Sequence, residues 1–167
     1  ILVTGGAGFI GSNLLHTLSE QYDHVVCLDS LSYAANINNI PKNSKRFCIE
    51  LYEGDICDQE FVRNAFMKFA PRYVMHLAAE SHVDNSIKDC RPFVYSNVLG
   101  TVNLLQQSLK FGVEKFLHVS TDEVYGTLSK DDPAFTETKA YEPNSPYSAS
   151  KAGSDHIVRA YLHTYKL

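Results

Sequence analysis

The sequence lacks long apolar runs, basic tracts and paired cysteines. No apolar run approaches the roughly 20 residues that span a bilayer, so we expect no membrane contact. A formal charge of −4, without a basic tract, argues against nucleic acid as a partner. The four cysteines are scattered and form no CxxC pair, which argues against a disulfide framework or a zinc site. We therefore expect a cytoplasmic protein with reduced thiols and no metal.

Short apolar runs alternate with longer amphipathic stretches along the chain. The runs predict five strands, at residues 1–3, 24–29, 46–55, 73–79 and 115–120. The amphipathic stretches predict helices over 9–19, 61–69 and 93–111 and from about Tyr147 onward. This alternation predicts an α/β fold with a doubly wound, mostly parallel sheet of the Rossmann-like, NAD-binding type.

Residues 1–167 are predicted to form a single NAD-binding domain. The chain begins at Ile1 inside an apolar run and ends at Leu167 without a helix-stop signal. We therefore expect the N-terminal part of a longer protein, with the last strands and the substrate-binding region absent from this chain.

A glycine-rich segment, VTGGAGFIG at residues 3–11, joins the first predicted strand to the first predicted helix. Gly5, Gly8 and Gly11 permit a tight turn, a close approach of the backbone to a pyrophosphate, and close packing of helix on strand. The free N–H groups of the helix N-terminus would then face the phosphates. A purely structural turn is the alternative.

Carboxylates and small residues follow three other predicted strands. Asp29 stands where a carboxylate accepts hydrogen bonds from the adenine ribose, and no Arg or Lys lies between it and Lys42 to attract a 2′-phosphate. The sequence therefore favours NAD over NADP. Asp55 could accept from the adenine amino group or cap a helix. Residues 77–79 leave room for a cofactor or simply pack tightly.

Tyr147 and Lys151 lie four residues apart in SPYSASKAG, on one face of the last predicted helix. A free tyrosine has a pKa of about 10 and is a poor base at neutral pH. A nearby lysine cation and the positive nicotinamide ring would lower that pKa by favouring the phenolate. We therefore predict a catalytic pair, with an exposed helix turn as the alternative.

The segment VSTDEVYG, at residues 119–126, follows the fifth apolar run with two adjacent carboxylates, Asp122 and Glu123. Ser120 or Thr121 could cap a helix that carries the acids in its first turn. Alternatively, the surroundings could drive the two pKa values apart, so that one acid stays protonated and the other ionised. The two interpretations are compatible.

Together these motifs resemble the nucleotide-sugar 4,6-dehydratases of the extended short-chain dehydrogenase/reductase family. The resemblance extends over nearly the whole chain through LDSLSYAANINNI, GDICD, HLAAESHVDNSI, STDEVYG and PYSASKA. The Thr-Asp-Glu run is its most specific part, since related sugar epimerases generally lack the acid pair.

The resemblance implies an NAD-dependent lyase that removes water from a nucleotide sugar, with dTDP and UDP both open as the nucleotide. Tyr147 would take the proton of the sugar 4-hydroxyl. Glu123 would remove the C5 proton while Asp122 protonates the leaving 6-hydroxyl. Thr121 would bind the sugar near C4, and Ser81 would line the same space. The family also implies a homodimer.

The motifs and the resemblance predict a set of residues in contact with the cofactor. They are Gly5, Gly8, Phe9, Ile10, Gly11, Asp29, Ser30, Leu31, Ser32, Asp55, Ile56, Leu77, Ala78, Ala79, Ser96, Tyr147 and Lys151.

Two other functions stay open. The first is a nucleotide-sugar 4-epimerase or another oxidoreductase on the same fold, against which the acid pair argues. The second is a non-catalytic NAD-binding module. The joint presence of the acid pair and the Tyr–Lys pair argues against it, because binding alone requires neither.

We predict that the protein binds NAD more tightly than NADP, because the Asp29 carboxylate accepts from ribose hydroxyls and repels a 2′-phosphate. Titration of the cofactor-free, full-length protein with both dinucleotides measures the preference. Tighter binding of NADP would contradict the role given to Asp29.

Overall fold

The computed structural model describes residues 1–43 and 46–167, in which strands and helices alternate. The strands are β1 (Leu2–Thr4), β2 (His24–Asp29), β3 (Cys48–Glu53), β4 (Tyr73–His76) and β5 (Lys115–His118). The α-helices are α1 (Phe9–Ser19), α2 (Gln59–Phe69), α3 (Val83–Lys88), α4 (Arg91–Phe93), α5 (Thr101–Phe111) and α6 (Pro146–Tyr165).

The described strands form one parallel sheet in the order β3-β2-β1-β4-β5. Leu2 pairs with Val26 on one side and with Val74 on the other, which places β1 at the centre. This is the order of a doubly wound sheet and confirms the predicted Rossmann-like α/β fold. The strand order reverses between β1 and β4, and in such sheets a crevice opens there, beyond the carboxyl ends of the strands.

Two hydrophobic clusters cover the two faces of the sheet. On one face Leu2 and Val74 pack with Phe66 of α2, and all three side chains are almost fully buried. On the other face Val3 and Val25 belong to a cluster with residues of α1. Because both faces are covered, the central strands are continuous apolar runs rather than alternating ones.

Several strands and helices differ in length from the prediction, and the structure also contains an unpredicted helix, α3. Strands β3, β4 and β5 end two or three residues before the predicted 55, 79 and 120, because the chain leaves the ladder there and turns along the crevice. The predicted helix over 93–111 begins two residues earlier, and π-helical turns at Val94–Gly100 join α4 to α5. The six-residue α3 was not predicted, because it is too short to show helical periodicity.

None of the helices in the described ranges is both long and apolar enough to cross a lipid bilayer. In those ranges, no group of three or more His, Cys, Asp or Glu side chains could hold a metal ion. The four cysteines are free thiols.

Candidate active site

A cleft of about 360 Å³ opens beyond the carboxyl ends of the strands. The glycine loop, the strand ends and α6 form its walls. Of the residues predicted to contact cofactor or substrate, it is lined by Gly5, Gly8, Phe9, Ile10, Gly11, Asp29, Ser30, Ser32, Asp55, Ile56, Leu77, Ala78, Ala79, Ser81, Ser96, Tyr147 and Lys151. The fold thus brings residues from most of the chain to one edge of the sheet.

The glycine loop is closely packed and permits no side chain at two positions. Gly5 has a φ of +70°, and a Cβ there would lie 2.6 Å from the backbone N of Ala78. A Cβ on Gly11 would lie 2.1 Å from the carbonyl oxygen of Gly5. Helix α1 then begins at Phe9 with neither a side-chain cap nor an acidic residue in its first turn. Its N-terminal N–H groups are therefore available to an anion.

The Asp29 carboxylate connects the end of β2 to the glycine loop. Its Oδ2 accepts from the backbone N–H of Ala7 and its Oδ1 from that of Leu31, both at 2.9 Å. Each oxygen keeps a second acceptor position. Leu31 contributes this N–H in a left-handed backbone conformation (φ 52°) but, unlike its predicted neighbours, does not line the cleft.

Helix α6 places Tyr147 and Lys151 in the cleft wall. A capping box between Ser145 and Ser148, with Pro146 in the first turn, starts the helix one residue before the predicted position. Both side chains are buried, Tyr147 with 9% and Lys151 with 4% of its surface exposed. The ammonium group of Lys151 donates to the carbonyl oxygen of Val119. Burial lowers the pKa of Lys151 to about 8, and the charge of Asp155 opposes that shift.

The surroundings raise the pKa of Tyr147, which contradicts the prediction that it is lowered. Burial is the largest cause, and the negative charges of Glu123 and Asp122 add to it. A hydrogen bond with the Thr121 side chain acts in the opposite direction. The prediction was wrong for the protein by itself, because Lys151 donates to a backbone carbonyl while the two acids approach the phenol.

The acid pair lies in a short 3₁₀ helix, Asp122–Tyr125, directly after the end of β5. Thr121 caps this helix, since its hydroxyl oxygen accepts from the backbone N–H of Glu123 at 3.3 Å. The capping interpretation is therefore confirmed. Asp122 is exposed and Glu123 half-buried. None of these three residues lines the cleft. The 3₁₀ helix packs against α6, the helix that carries Tyr147.

Several cleft residues were not predicted from the sequence. They are Leu28, Ala34, Ala35, Gly54, Glu80, Val119 and Ser120. Each lies within three residues of a predicted one, so the strand ends could have indicated them. The Glu80 carboxylate accepts from the Tyr33 hydroxyl at 3.3 Å, a contact between loops 47 residues apart that no sequence signal indicates.

Asn97, in the π-helical turns, holds the loop after β4 to α6 and was also missed. Its side chain accepts from the backbone N–H of Glu80 at 2.8 Å and donates to Glu80 O and to the Ser150 hydroxyl. It is almost fully buried. The only sequence feature that could have indicated this role was a polar residue within the predicted amphipathic helix over 93–111.

A doubly wound parallel sheet, a glycine loop between β1 and α1, and a buried Tyr–Lys pair at the same edge define the extended short-chain dehydrogenase/reductase class. Within that class, the family model of GDP-mannose 4,6 dehydratase matches residues 2–167. The chain belongs to this family.

Similar proteins carry two different functional names. The dTDP-glucose 4,6-dehydratase of Haemophilus influenzae is 48% identical over the full chain. Among solved structures, a Streptomyces venezuelae dTDP-glucose 4,6-dehydratase with NAD bound has a TM-score of 0.90 and 45% identity over 99% of the chain. A Thermus thermophilus UDP-glucose 4-epimerase in complex with NAD has a TM-score of 0.91 and 38% identity over 99%. The chain spans about half the length of these proteins, 51–52% in each case.

We predict that stability rises between about pH 8 and pH 10.5 through Lys151. Its pKa is about 8 in the folded protein against an ordinary 10.5, so the unfolded state binds more protons in this window. Each pKa unit corresponds to about 1.4 kcal/mol, so the gain reaches up to about 3 kcal/mol. Chemical unfolding of the cofactor-free, full-length protein across this range measures it.

Lys151→Met should remove this part of the pH dependence, since methionine carries no proton to lose. Lys110→Met is the matched control, because Lys110 is exposed on α5 and should leave the wild-type curve unchanged. Parallel curves for wild type and Lys151→Met would show that the Lys151 pKa is not depressed.

Proposed function

We propose that this chain is the cofactor-binding part of an NAD-dependent nucleotide-sugar 4,6-dehydratase, a hydro-lyase that acts on dTDP-glucose in the cytoplasm. The observation that carries the proposal is the position of Thr121-Asp122-Glu123 beside Tyr147, at the edge of the sheet that holds the glycine loop. The names of the similar dehydratases and the NAD bound in solved relatives support it.

The cleft fits a dinucleotide. The closely packed backbone at Gly5 and Gly11 and the uncapped start of α1 suit a pyrophosphate. The Asp29 carboxylate, held by two backbone N–H groups, presents its remaining acceptor positions to the adenine ribose. NAD, when bound, supplies a hydride acceptor and donor. Tyr147 and Lys151 lie in the same cleft and would face its nicotinamide end.

Tyr147 would take the proton of the sugar 4-hydroxyl when C4 is oxidised. Its raised pKa must fall for this, and two groups can lower it. One is the cation of Lys151 and the other is the positive charge of the bound nicotinamide ring, while the hydrogen bond with Thr121 already acts in the same direction. Lys151 would also donate to the nicotinamide ribose while it keeps its bond to Val119 O, since its ammonium group has three donors.

Glu123 and Asp122 would carry out the elimination. With a ketone at C4, the C5 proton becomes acidic and Glu123 removes it. Asp122 would protonate the 6-hydroxyl, which leaves as water. C6 would then receive the hydride that C4 gave up, and Glu123 would return its proton to C5.

A sugar 4-epimerase is the competing function, because the epimerase of Thermus thermophilus shares the fold as closely as the dehydratase does. Epimerisation requires oxidation and reduction at C4 but no acid pair and no loss of water. Asp122 and Glu123 therefore favour dehydration. The products formed from dTDP-glucose and UDP-glucose separate the two functions and identify the preferred nucleotide.

We also propose that the full-length protein is a homodimer. The continuous helix from α4 to α5 exposes Tyr95 and Leu99, at 57% and 46% of their surface. Helix α6, which packs beside it, exposes Leu162 and Tyr165, at 53% and 51%. Two adjacent helices that both expose large apolar side chains are suited to pack against the same pair in a second copy.

We predict that Asp122→Asn with Glu123→Gln abolishes the loss of water, because neither amide can act as acid or base. NAD content should remain nearly unchanged, since neither side chain lines the cleft. Mass spectrometry of the product that the full-length protein forms from dTDP-glucose measures the loss of water. The amount of NAD bound to the purified full-length protein measures the NAD content.

The matched control is Asp131→Asn with Asp132→Asn, a second adjacent acid pair in the exposed segment after β5. This variant should keep wild-type activity. Normal turnover in the Asp122/Glu123 variant would refute the assignment. If the wild-type protein converts the substrate without loss of water, the result would favour the epimerase.

We predict that Leu99→Asp shifts the full-length protein from dimer to monomer in sedimentation experiments, because it places a charge in the apolar face. Met67→Asp is the control. Met67 is 62% exposed on α2, a helix outside the proposed face, and the variant should sediment as wild type. A monomeric wild-type protein would contradict the proposal.

A further inference from the structure

Asp155 lies one helical turn after Lys151 on α6, and the proposed reaction assigns it no role. Its side chain is only 11% exposed. Its Oδ2 accepts two hydrogen bonds, one from the Ser120 hydroxyl and one, at 3.0 Å, from the Tyr141 hydroxyl. These donors follow β5 and precede α6 in the chain, so one carboxylate oxygen joins three segments.

The other carboxylate oxygen faces a histidine. The Nε2 atom of His118, the last residue of β5, lies 3.2 Å from Asp155 Oδ1 without the alignment of a hydrogen bond. His118 is itself nearly buried, with 6% of its side chain exposed, and also contacts the Ser154 hydroxyl. The carboxylate is therefore enclosed between the strand end and the helix.

Two successive residues after β5 are held by two residues one turn apart on α6. Lys151 donates to the carbonyl oxygen of Val119, and Asp155 accepts from the hydroxyl of Ser120. The next residue in the chain is Thr121, followed by the acid pair. The position of the acids relative to Tyr147 thus depends on this double attachment.

We propose that Asp155 is a positioning residue, which fixes the segment that carries Asp122 and Glu123 against the helix that carries Tyr147 and Lys151. The proposal adds a positioning residue to the proposed dehydratase reaction. It rests on that proposed function wherever the test measures turnover. Asp155 itself touches neither substrate nor cofactor, since it does not line the cleft.

The charge of Asp155 also acts on Lys151 and Tyr147. Burial would raise its pKa, but interactions with His118, Ser120 and Tyr141 outweigh burial and hold the pKa below its ordinary value. The carboxylate is therefore ionised at neutral pH. Its charge raises the pKa of Lys151 and that of Tyr147.

The titratable groups that face Asp155 come from all packed segments: His118 from β5, Tyr141 from the preceding loop, and Lys151 and Tyr147 from α6. Removal of one negative charge lowers the pKa of both the lysine and the tyrosine. Because the base must be ionised and the lysine protonated, both limbs of the pH–rate profile move to lower pH.

Asp155→Ala in the full-length protein tests the proposal, because alanine removes both the charge and the acceptor of the two hydroxyl hydrogen bonds. Misplacement of the acids should lower kcat about 10- to 100-fold, with a smaller change in KM. Both limbs of the pH–rate profile should move to lower pH, by about half a pH unit or more. Asp89→Asn, which removes an exposed carboxylate paired with Arg91, should change neither.

Two further variants separate position from charge. Ser120→Ala and Tyr141→Phe each remove one hydrogen bond to Asp155 but leave its charge. They should slow turnover without moving the profile. Because each deletes a single hydroxyl, they also carry the test if Asp155→Ala fails to fold.

Amide hydrogen exchange provides a readout that needs no activity. Asp155→Ala, Ser120→Ala and Tyr141→Phe should each accelerate exchange in residues 115–125, and Asp89→Asn should not. Unchanged exchange there, or a wild-type rate and pH profile in Asp155→Ala, would overturn the proposal. If the wild type forms no dehydrated product but exchange responds as expected, the proposed function fails while the positioning role stands.

Discussion

The proposed chemistry depends on the parallel pairing of β1 with β2 and β4. Parallel strands end at the same edge, so residues more than 100 positions apart, such as Gly5 and Tyr147, line one cleft. The close approach of Gly5 to the backbone of Ala78 shows how little room the pairing leaves. A side chain at that glycine would separate the two loops and open the cleft between them.

Burial of charge at this edge opposes folding and is tolerated because every buried charge has partners. An isolated buried ammonium or carboxylate is costly, and the group loses its charge unless it is paired. Lys151 is bonded to a carbonyl oxygen, and its pKa is nevertheless depressed. Asp155 receives two hydroxyl donors and stays ionised. Perturbed groups of this kind concentrate at functional sites, where stability is exchanged for reactivity.

The sequence predicts the architecture and the cofactor edge because both follow from local patterns. The alternation of strands and helices, the glycine loop and Asp29 each depend on a few neighbouring residues. Contacts between distant segments are not visible in the same way. The network around Asp155 and the bonds of Asn97 arise only when the helices pack, and the raised pKa of Tyr147 reflects burial and two acids rather than the lysine four residues away.

The fold alone does not decide between dehydration and epimerisation, because structures of both kinds match the chain at TM-scores of 0.90 and 0.91. Both reactions begin with oxidation at C4, for which the Tyr–Lys pair and the cleft suffice. Dehydration needs two further groups of opposite protonation state near C5 and C6. Asp122 and Glu123 sit just outside the cleft wall, one exposed and one half-buried. A sugar that extends from the cleft over the 3₁₀ helix would therefore meet both carboxyl groups.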